Sequence, residues 1–208
     1  NPNIKRNEWR DIGILYLLKN MGTNIPIIAS SYLEVQNIMA ANFFAEMGVT
    51  QIILSYQISL KEICDISKIS NLKIEIFGHG GCSFYVGSCN LFHDMGEGGK
   101  GGANISYPCR GVYKVTENNK SIDRCRFLDD HKICSFCRIP ELMQANVHMF
   151  KIVGRDIEPD FISNVIKIYR TGFDLSINGV DIHTEKNKVL PIWWQKLWCE
   201  SGKRCRYV

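Results

Sequence analysis

Apolar and polar positions follow two alternating periodicities along the amino-terminal part of the chain. Short apolar runs at residues 25–30, 50–55 and 71–77 indicate buried parallel strands. Between them, residues 34–47 and 59–67 carry apolar side chains at helical spacing, which predicts two helices. This strand–helix order with short connections favours right-handed parallel units, as in a barrel or a doubly wound sheet.

Capping residues mark several of the predicted helix ends. Residues 11–20 are predicted as a helix that follows a short turn at Gly13. Ser59 is followed three residues later by Glu62, the spacing of a capping box. Gly48 stands directly after the preceding helix, where a glycine C-cap is expected.

The pattern changes after the third strand and later resumes. The glycine-rich residues 90–104 are predicted as a loop. Two short strands around the turn at residues 117–119 predict a β-hairpin insertion. A short helix at 140–146, a strand at 147–153 and a helix at 160–170 then continue the alternating order. The fold class is therefore α/β with parallel strands.

Polar side chains stand where the predicted parallel strands end, which is where sites gather in such folds. Ser31 and Tyr56 follow two strands and are candidate substrate-binding groups, although small polar residues also simply end strands. His79 follows the third strand as an acid–base group, or as a structural histidine. Glu75, within that strand, is either an interior functional carboxylate or a solvent-facing residue.

Composition and charge narrow the possible classes of protein only slightly. The chain has 208 residues, 45% of them hydrophobic and 22% charged, as in an ordinary globular protein. A formal charge of +4 allows an anionic ligand without arguing for nucleic acid by itself. No apolar window is long enough for a membrane helix, and no signal-peptide core is visible. The cytoplasm is the expected compartment.

Nine cysteines are a high count for such a chain. Cys134 and Cys137 form a CxxC, which alone suggests zinc or a redox pair, but a second CxxC at zinc-ribbon spacing is absent. Cys82, Cys89, Cys109 and Cys134 each lie near a turn or a strand end. Four thiolates from separate loops suit an iron–sulfur cluster, with unligated thiols as the alternative.

A strand end, a glycine-rich turn and two cysteines follow one another in residues 75–89, EIFGHGGCSFYVGSC. This stretch resembles the Glu-x-Phe, His-Gly-small and Cys-x4-Gly-x-Cys signature of the collagenase-like peptidase family U-32. Further similarity lies in AN at 103–104 with PCR at 108–110, in IC at 133–134 with IPEL at 139–142, and in KIVGR at 151–155. The motifs occur in the family's order, between about residues 11 and 170.

The resemblance implies a TIM-barrel-like catalytic domain that is partial or complete. Many members carry a 4Fe-4S cluster, whose ligands map to Cys82, Cys89, Cys109 and Cys134. Members once called peptidases include oxygen-independent hydroxylases of ubiquinone precursors, transfer RNA or ribosomal RNA, some with prephenate as oxygen donor. We therefore expect a 4Fe-4S-dependent hydroxylase of a small aromatic or RNA substrate. A collagenase-like peptidase and a non-catalytic subunit that completes another barrel are the alternatives.

The motif residues suggest roles within such an enzyme. His79, Glu75 and Arg155 are the candidate catalytic residues. Arg110, together with Arg155, is a candidate for bidentate binding of the carboxylates of a prephenate-like donor, with surface arginines as the common alternative. No Ser-His-Asp or HExxH arrangement is visible, so a peptidase mechanism has no assigned residues.

The remaining cysteines and the tail tryptophans leave alternatives open. Cys125 or Cys137 could replace Cys134 as the fourth cluster ligand, and Cys64 fits an apolar helix face. The tail pair of cysteines is a second metal pair or, by slight preference, two tail thiols. The tail tryptophans are more readily explained as a packed anchor than as a stacking platform. These tail residues are Trp193, Trp194, Trp198, Cys199 and Cys205.

Three departures from the family pattern concern the predicted site and whether the barrel is complete. One residue is missing between Gly80 and Cys82, and Val153 stands where the family has a glutamate. The chain also starts near the middle of the usual barrel, so a fragment, a reduced fold, or a partner chain or homo-oligomer is expected. We predict a barrel-like domain at 1–185, with a cysteine-rich insertion at about 90–135, and a Trp- and Cys-rich tail at 186–208.

Overall fold

The structure of the protein is a computed structural model that describes residues 7–69, 71–80, 112–125, 133–154, 157–200, 205 and 207. Its strands are β1 (Glu8–Trp9), β2 (Ile28–Ala29), β3 (Gln51–Ile53), β4 (Lys73–Gly80), β5 (Tyr113–Glu117), β6 (Lys120–Cys125), β7 (Ile133–Cys134) and β8 (Met149–Ile152). Its helices are α1 (Ile12–Asn20), α2 (Ile38–Glu46), α3 (Leu60–Ile69), α4 (Ile139–Gln144), α5 (Pro159–Ile177) and α6 (Ile182–Val189). Short 3-10 turns are Ser31–Leu33 and Phe136–Arg138, and the helix Ile192–Trp194 continues as a π-helix at Gln195–Cys199.

Five parallel strands form the sheet, in the order β1-β2-β3-β4-β8. The short strand β7 pairs antiparallel with the end of β4, and β5 with β6 forms a separate antiparallel hairpin. The predicted α/β class, the parallel sheet and the hairpin are thus confirmed. Within the described residues no pairing closes the sheet into a ring, so a TIM barrel is not confirmed. The cysteine-rich character of the insertion lies mostly outside those residues.

The two faces of the sheet are covered differently. One face carries Ile52, Ile74 and Ile76, which pack in the main apolar core with residues of α2 and α3. The opposite face carries a smaller cluster built on Ile53 and Phe77. A further core forms where α4, α5 and α6 pack against the carboxyl-terminal tail. In the part of the chain that the structure describes, no helix has the length and apolarity to cross a membrane.

Local capping explains where the helices begin. The capping box is confirmed, because Ser59 N donates to Glu62 Oε2 at 2.8 Å and Glu62 N donates to Ser59 Oγ at 3.3 Å. The predicted turn at Gly13 is wrong: Gly13 lies in the first turn of α1, which Asp11 caps. The predicted helix start at residue 34 is also wrong, because the Asn37 side chain caps α2.

Candidate functional site

The carboxyl edge of the sheet gathers small polar side chains, as the sequence predicts. Ser31 follows β2 and Ser55 follows β3, and both are buried. Tyr56 is half-buried, lies edge-on to Phe77 at 5.4 Å between ring centroids, and donates its hydroxyl to Gly80 O at 3.2 Å. The hydroxyl of Tyr56 therefore fastens the end of β3 to the end of β4. Roles for Ser31 and Tyr56 in substrate binding stay predictions.

A carboxylate that sequence reasoning missed stands at the same edge. Glu34 Oε2 accepts hydrogen bonds from Ser55 Oγ at 2.7 Å and from Gln36 Nε2 at 2.9 Å. Its second oxygen, Oε1, is buried without a hydrogen-bond partner. Glu34 is held in the left-handed region at φ 50°, an uncommon conformation for a non-glycine residue. Its place after a short apolar strand was the available sequence signal.

Glu75 lies inside the structure rather than in solvent. Its side chain is buried on the sheet face opposite the main core, where Gln51 Nε2 donates to Glu75 Oε2 at 2.8 Å. The neighbouring Met149 on β8 places its sulfur 3.1 Å from the same amide nitrogen. The solvent-facing alternative for Glu75 is therefore wrong, while its catalytic role stays a prediction.

A register shift decides the surroundings of His79. The pairing of β4 with β8 is irregular between Phe77 and His79, the mark of a β-bulge. Phe77 packs in the smaller cluster with Ile53, on the sheet face opposite the main core. His79 instead packs against the rings of Trp194 and Trp198, with ring centroids 5.0 and 4.9 Å apart. The imidazole is only 1% exposed. The bulge thus turns His79 toward the tail.

A hydrogen-bond network fixes the protonation of His79. The carbonyl of Gly78 can only accept, and Tyr169 Oη donates to it at 2.9 Å. The same hydroxyl oxygen accepts from Ser135 N at 3.0 Å and lies 3.2 Å from His79 Nδ1. Because the single hydroxyl proton is used on Gly78, the network assigns a proton to Nδ1 of His79. Burial lowers the pKa of His79 from 6.5 to about 4, so the ring is neutral at pH 7.

The buried imidazole should make stability depend on pH. Above pH 6.5 His79 is neutral in both the folded and unfolded chain, and its contribution is fully present. Between pH 6.5 and about 4 the unfolded chain binds the proton first, so the free energy of unfolding falls as pH falls. The expected loss is about 3 kcal/mol across this window. Denaturant unfolding at a series of pH values measures it.

The His79→Phe variant is the control, because it keeps an aromatic ring between Tyr169, Trp194 and Trp198 but cannot titrate. Carboxylates and the other histidines titrate in both proteins, so the difference between the two curves isolates His79. Parallel pH curves for the wild type and the variant would contradict the assignment of a buried neutral ring.

Four thiols line one pocket of about 160 Å³ between β7, the turn after it and the tail. They belong to Cys134, Cys137, Cys199 and Cys205, and all four are free rather than disulfide-bonded. Burial raises the pKa of the Cys134 thiol from 9.0 to about 12, with a smaller opposing effect from its hydrogen bond with the backbone of Phe136. Sequence reasoning favoured Cys199 and Cys205 as tail thiols, and the structure instead brings them to the CxxC.

Several predicted site residues lie outside the described residues. These are Cys82, Cys89, Cys109, Arg110 and Arg155. Their assigned roles stay predictions. Sequence reasoning also missed Tyr169, which anchors His79, while the packed-anchor interpretation of the tail tryptophans fits the burial of Trp194 and Trp198.

Comparison with known proteins gives a consistent family. The model of peptidase family U32 matches residues 4–198. The chain is 28% identical over 177 residues to the 23S rRNA 5-hydroxycytidine C2501 synthase of Escherichia coli (strain K12), covering 81% of this chain and 26% of that protein. It is 31% identical over 112 residues to the tRNA hydroxylation protein P of the same organism, covering 53% of this chain and 25% of that protein.

A more distant relative carries a different name. The chain is 22% identical over 186 residues to a protein named collagenase from Porphyromonas gingivalis (strain ATCC BAA-308 / W83), covering 81% of this chain and 44% of that protein. The chain thus spans about a quarter of the two hydroxylation proteins and less than half of the collagenase.

Proposed function

Because this chain belongs to peptidase family U32, we propose that it contributes the catalytic core of an oxygen-independent hydroxylase that acts on RNA. The names of two relatives, a ribosomal RNA hydroxycytidine synthase and a transfer RNA hydroxylation protein, support RNA over a small aromatic substrate. The observation that carries the proposal is the set of buried polar groups at the carboxyl edge of the sheet, centred on Glu34 and Ser55. A parallel sheet presents its chemistry at this edge.

The residues at this edge of the sheet have different proposed roles. Glu34 keeps one buried carboxylate oxygen unpartnered, so it can accept a proton or a hydrogen bond from a substrate group. Ser55 and Gln36 hold the other oxygen and fix the orientation of the carboxylate. Tyr56 ties the ends of two strands together. Arg110 and Arg155 are proposed to hold the carboxylates of a prephenate-like donor.

A 4Fe-4S cluster is the proposed cofactor, with Cys82, Cys89, Cys109 and Cys134 as ligands. The one described member of this set, Cys134, is buried and has its thiol pKa raised, and iron binding would draw off the proton. Cysteine sulfur is the donor that such a cluster takes, and Cys125 or Cys137 is the alternative fourth ligand. When bound, such a cluster would supply redox chemistry at cysteine sulfur.

The test is an anaerobic assay of the purified protein with transfer RNA and ribosomal RNA, with prephenate supplied. Digested RNA is analysed by mass spectrometry for nucleosides that gain one oxygen atom. Glu34→Gln keeps the size and hydrogen-bonding shape but removes the carboxylate, and we expect a loss of at least about 100-fold in the hydroxylation rate. The matched control is Glu46→Gln, an exposed glutamate at the end of α2.

Three outcomes would point elsewhere. Equal rates for Glu34→Gln and wild type would remove Glu34 from the chemistry. Peptide cleavage without any modified nucleoside would favour the collagenase alternative. Activity only after a second barrel-like chain co-purifies would favour a subunit of a larger enzyme.

A further inference from the structure

The two outermost parallel strands of the sheet carry opposite charges that meet on one face. Glu8 lies on β1 and Lys151 on β8, at the two ends of the strand order β1-β2-β3-β4-β8. Lys151 Nζ nevertheless lies 3.8 Å from Glu8 Oε1. In a flat sheet these strands would be four strand spacings apart, about 19 Å, which is too far for a lysine and a glutamate side chain to bridge. The sheet is therefore strongly curved, and this ion pair lies on its concave face.

Each of the five parallel strands contributes one side chain to the concave face. These side chains are Glu8, Ile28, Ile53, Phe77 and Lys151. The three apolar members form the buried cluster on the sheet face opposite the main core. Lys151 Nζ lies 5.4 Å from the centroid of the Phe77 ring, within the range of a cation–π contact. The Phe77 ring also packs edge-on against Tyr56. A single aromatic ring thus separates Lys151 from Tyr56 at the carboxyl edge of the sheet.

The ammonium group of Lys151 has hydrogen-bonding capacity that this ion pair does not use. Glu8 Oε1 accepts a hydrogen bond from Ser30 Oγ at 2.8 Å, which orients the carboxylate. The 3.8 Å between Lys151 Nζ and Glu8 Oε1 is longer than a hydrogen bond. An ammonium group carries three N–H donors. Within the part of the chain that the structure describes, the contact with Glu8 is therefore electrostatic and leaves these donors available.

Stability gives little reason for a lysine at this position. The side chains of Lys151 and Glu8 are 29% and 30% exposed. An ion pair that is this exposed and this long contributes little to the free energy of unfolding, because water and salt screen it. The same partial exposure lets an anion from outside reach the ammonium group. A ligand oxyanion that forms true hydrogen bonds with Lys151 would displace the carboxylate of Glu8.

We propose that Lys151 binds an oxyanion of the reactants on the concave face, and that Glu8 is the internal counter-ion which the ligand displaces. The oxyanion is a phosphate of the RNA or a carboxylate of the prephenate-like donor, so this assignment deepens the proposed function and rests on it. Lysine acts as a compact point charge, which suits a phosphate, whereas a carboxylate is commonly held by the fork of an arginine. Sequence reasoning gave a role to Arg155 of the KIVGR stretch and none to its first residue, Lys151.

The test measures binding rather than turnover. Transfer RNA and prephenate are titrated separately into anaerobically purified protein at a series of salt concentrations. Lys151→Met removes the charge and keeps the length of the side chain, whereas Lys151→Arg keeps the charge. Glu8→Gln removes the competing carboxylate and keeps an oxygen that can accept from Ser30. The matched control is Lys167→Met, which removes an exposed lysine of α5.

We expect Lys151→Met to weaken the binding of one probe by at least about 10-fold, since a charge-assisted hydrogen bond is lost. If the ligand is a phosphate, the plot of log affinity for transfer RNA against log salt becomes shallower by about one unit. If the ligand is a carboxylate, the loss occurs with prephenate instead, and the salt slope for transfer RNA is unchanged. Lys151→Arg should retain most of the affinity, and Lys167→Met should retain all of it.

The Glu8→Gln variant separates a binding role from a purely structural ion pair. We expect it to bind the same probe about threefold more tightly, because the ammonium group no longer has a competing carboxylate. A structural pair would instead lose affinity equally in Glu8→Gln and Lys151→Met, and that result would overturn the proposal. Equal affinities of the wild type and Lys151→Met for both probes would also overturn it, as would a wild type that binds neither probe.

Failure of the proposed function gives a different result. Binding that depends on Lys151, without any modified nucleoside in the hydroxylation assay, would remove the hydroxylase and leave the anion site. Normal hydroxylation by a Lys151→Met variant that binds both probes as the wild type does would remove the anion site and leave the hydroxylase.

Discussion

Replacing Trp194 with alanine is expected to lower the free energy of unfolding by about 4 kcal/mol. Trp194 is 0% exposed and is the largest fully buried side chain of the described residues. Its ring centroid lies 4.7 Å from that of Trp198, 5.0 Å from His79 and 5.9 Å from Tyr169. Its indole nitrogen has no hydrogen-bond partner, so the loss reflects apolar contact and a cavity. Urea unfolding monitored by circular dichroism measures it.

Ile192→Ala is the matched control, because Ile192 belongs to the same short helix but is 72% exposed. Its substitution should change the free energy of unfolding by no more than about 0.5 kcal/mol. Equal losses in the two variants would mean that the helix, rather than the burial of the indole, determines the stability of the tail. Because Trp194 also packs on His79, its loss should in addition raise the pKa of that ring toward 6.5 and narrow the pH window in which the ring affects stability.

Local signals in the sequence were sufficient for much of the fold. Apolar runs of strand length, separated by helical periodicity, predict β2, β3 and β4 because burial on both faces leaves no polar alternation. The capping box at Ser59 and Glu62 is likewise decided by neighbours three residues apart. The start of α2 was missed because two local signals compete, and Asn37 caps the helix while Val35 pairs with Leu54.

Long-range pairings decided what the sequence could not. The direction of His79 depends on a bulge in β4 that no periodicity reveals, because a single extra residue exchanges the two faces. That Cys199 and Cys205 line the same pocket as Cys134 depends on how the tail returns to the sheet. Barrel closure is also a question of distant strands, which a pattern of short runs leaves undetermined.

The carboxylate at the sheet edge illustrates the same limit. The missing family glutamate at Val153 suggested that the strand end had lost its acid. The structure places Glu34 at the same edge, after a different strand, and holds it by Ser55 and Gln36. A site of this kind is assembled from several strand ends, so an acid can be supplied from more than one of them.

Replacing Gly80 with alanine is expected to destabilise the fold by more than about 3 kcal/mol. Gly80 has a φ of 93°, and an added Cβ would lie 2.5 Å from the carbonyl oxygen of Val153. That oxygen belongs to the backbone beyond β8, so a side-chain rotation cannot relieve the clash. The strand ends would have to separate, and the hydrogen bond from Tyr56 to Gly80 O would be strained. Thermal and denaturant unfolding measure the loss.

The Gly179→Ala variant separates the cost of placing alanine at a positive φ from the cost of the steric clash at Gly80. Gly179 also has a positive φ, 73°, but an added Cβ there meets no atom within 4 Å. Its substitution should therefore cost only about 1 kcal/mol, the ordinary penalty for alanine in the left-handed region. The excess cost at Gly80 then measures the close approach of β4 and β8 at the carboxyl edge. Equal costs at the two glycines would mean that the strand ends move apart freely, and the edge could not hold Glu34 and Tyr56 in a fixed arrangement.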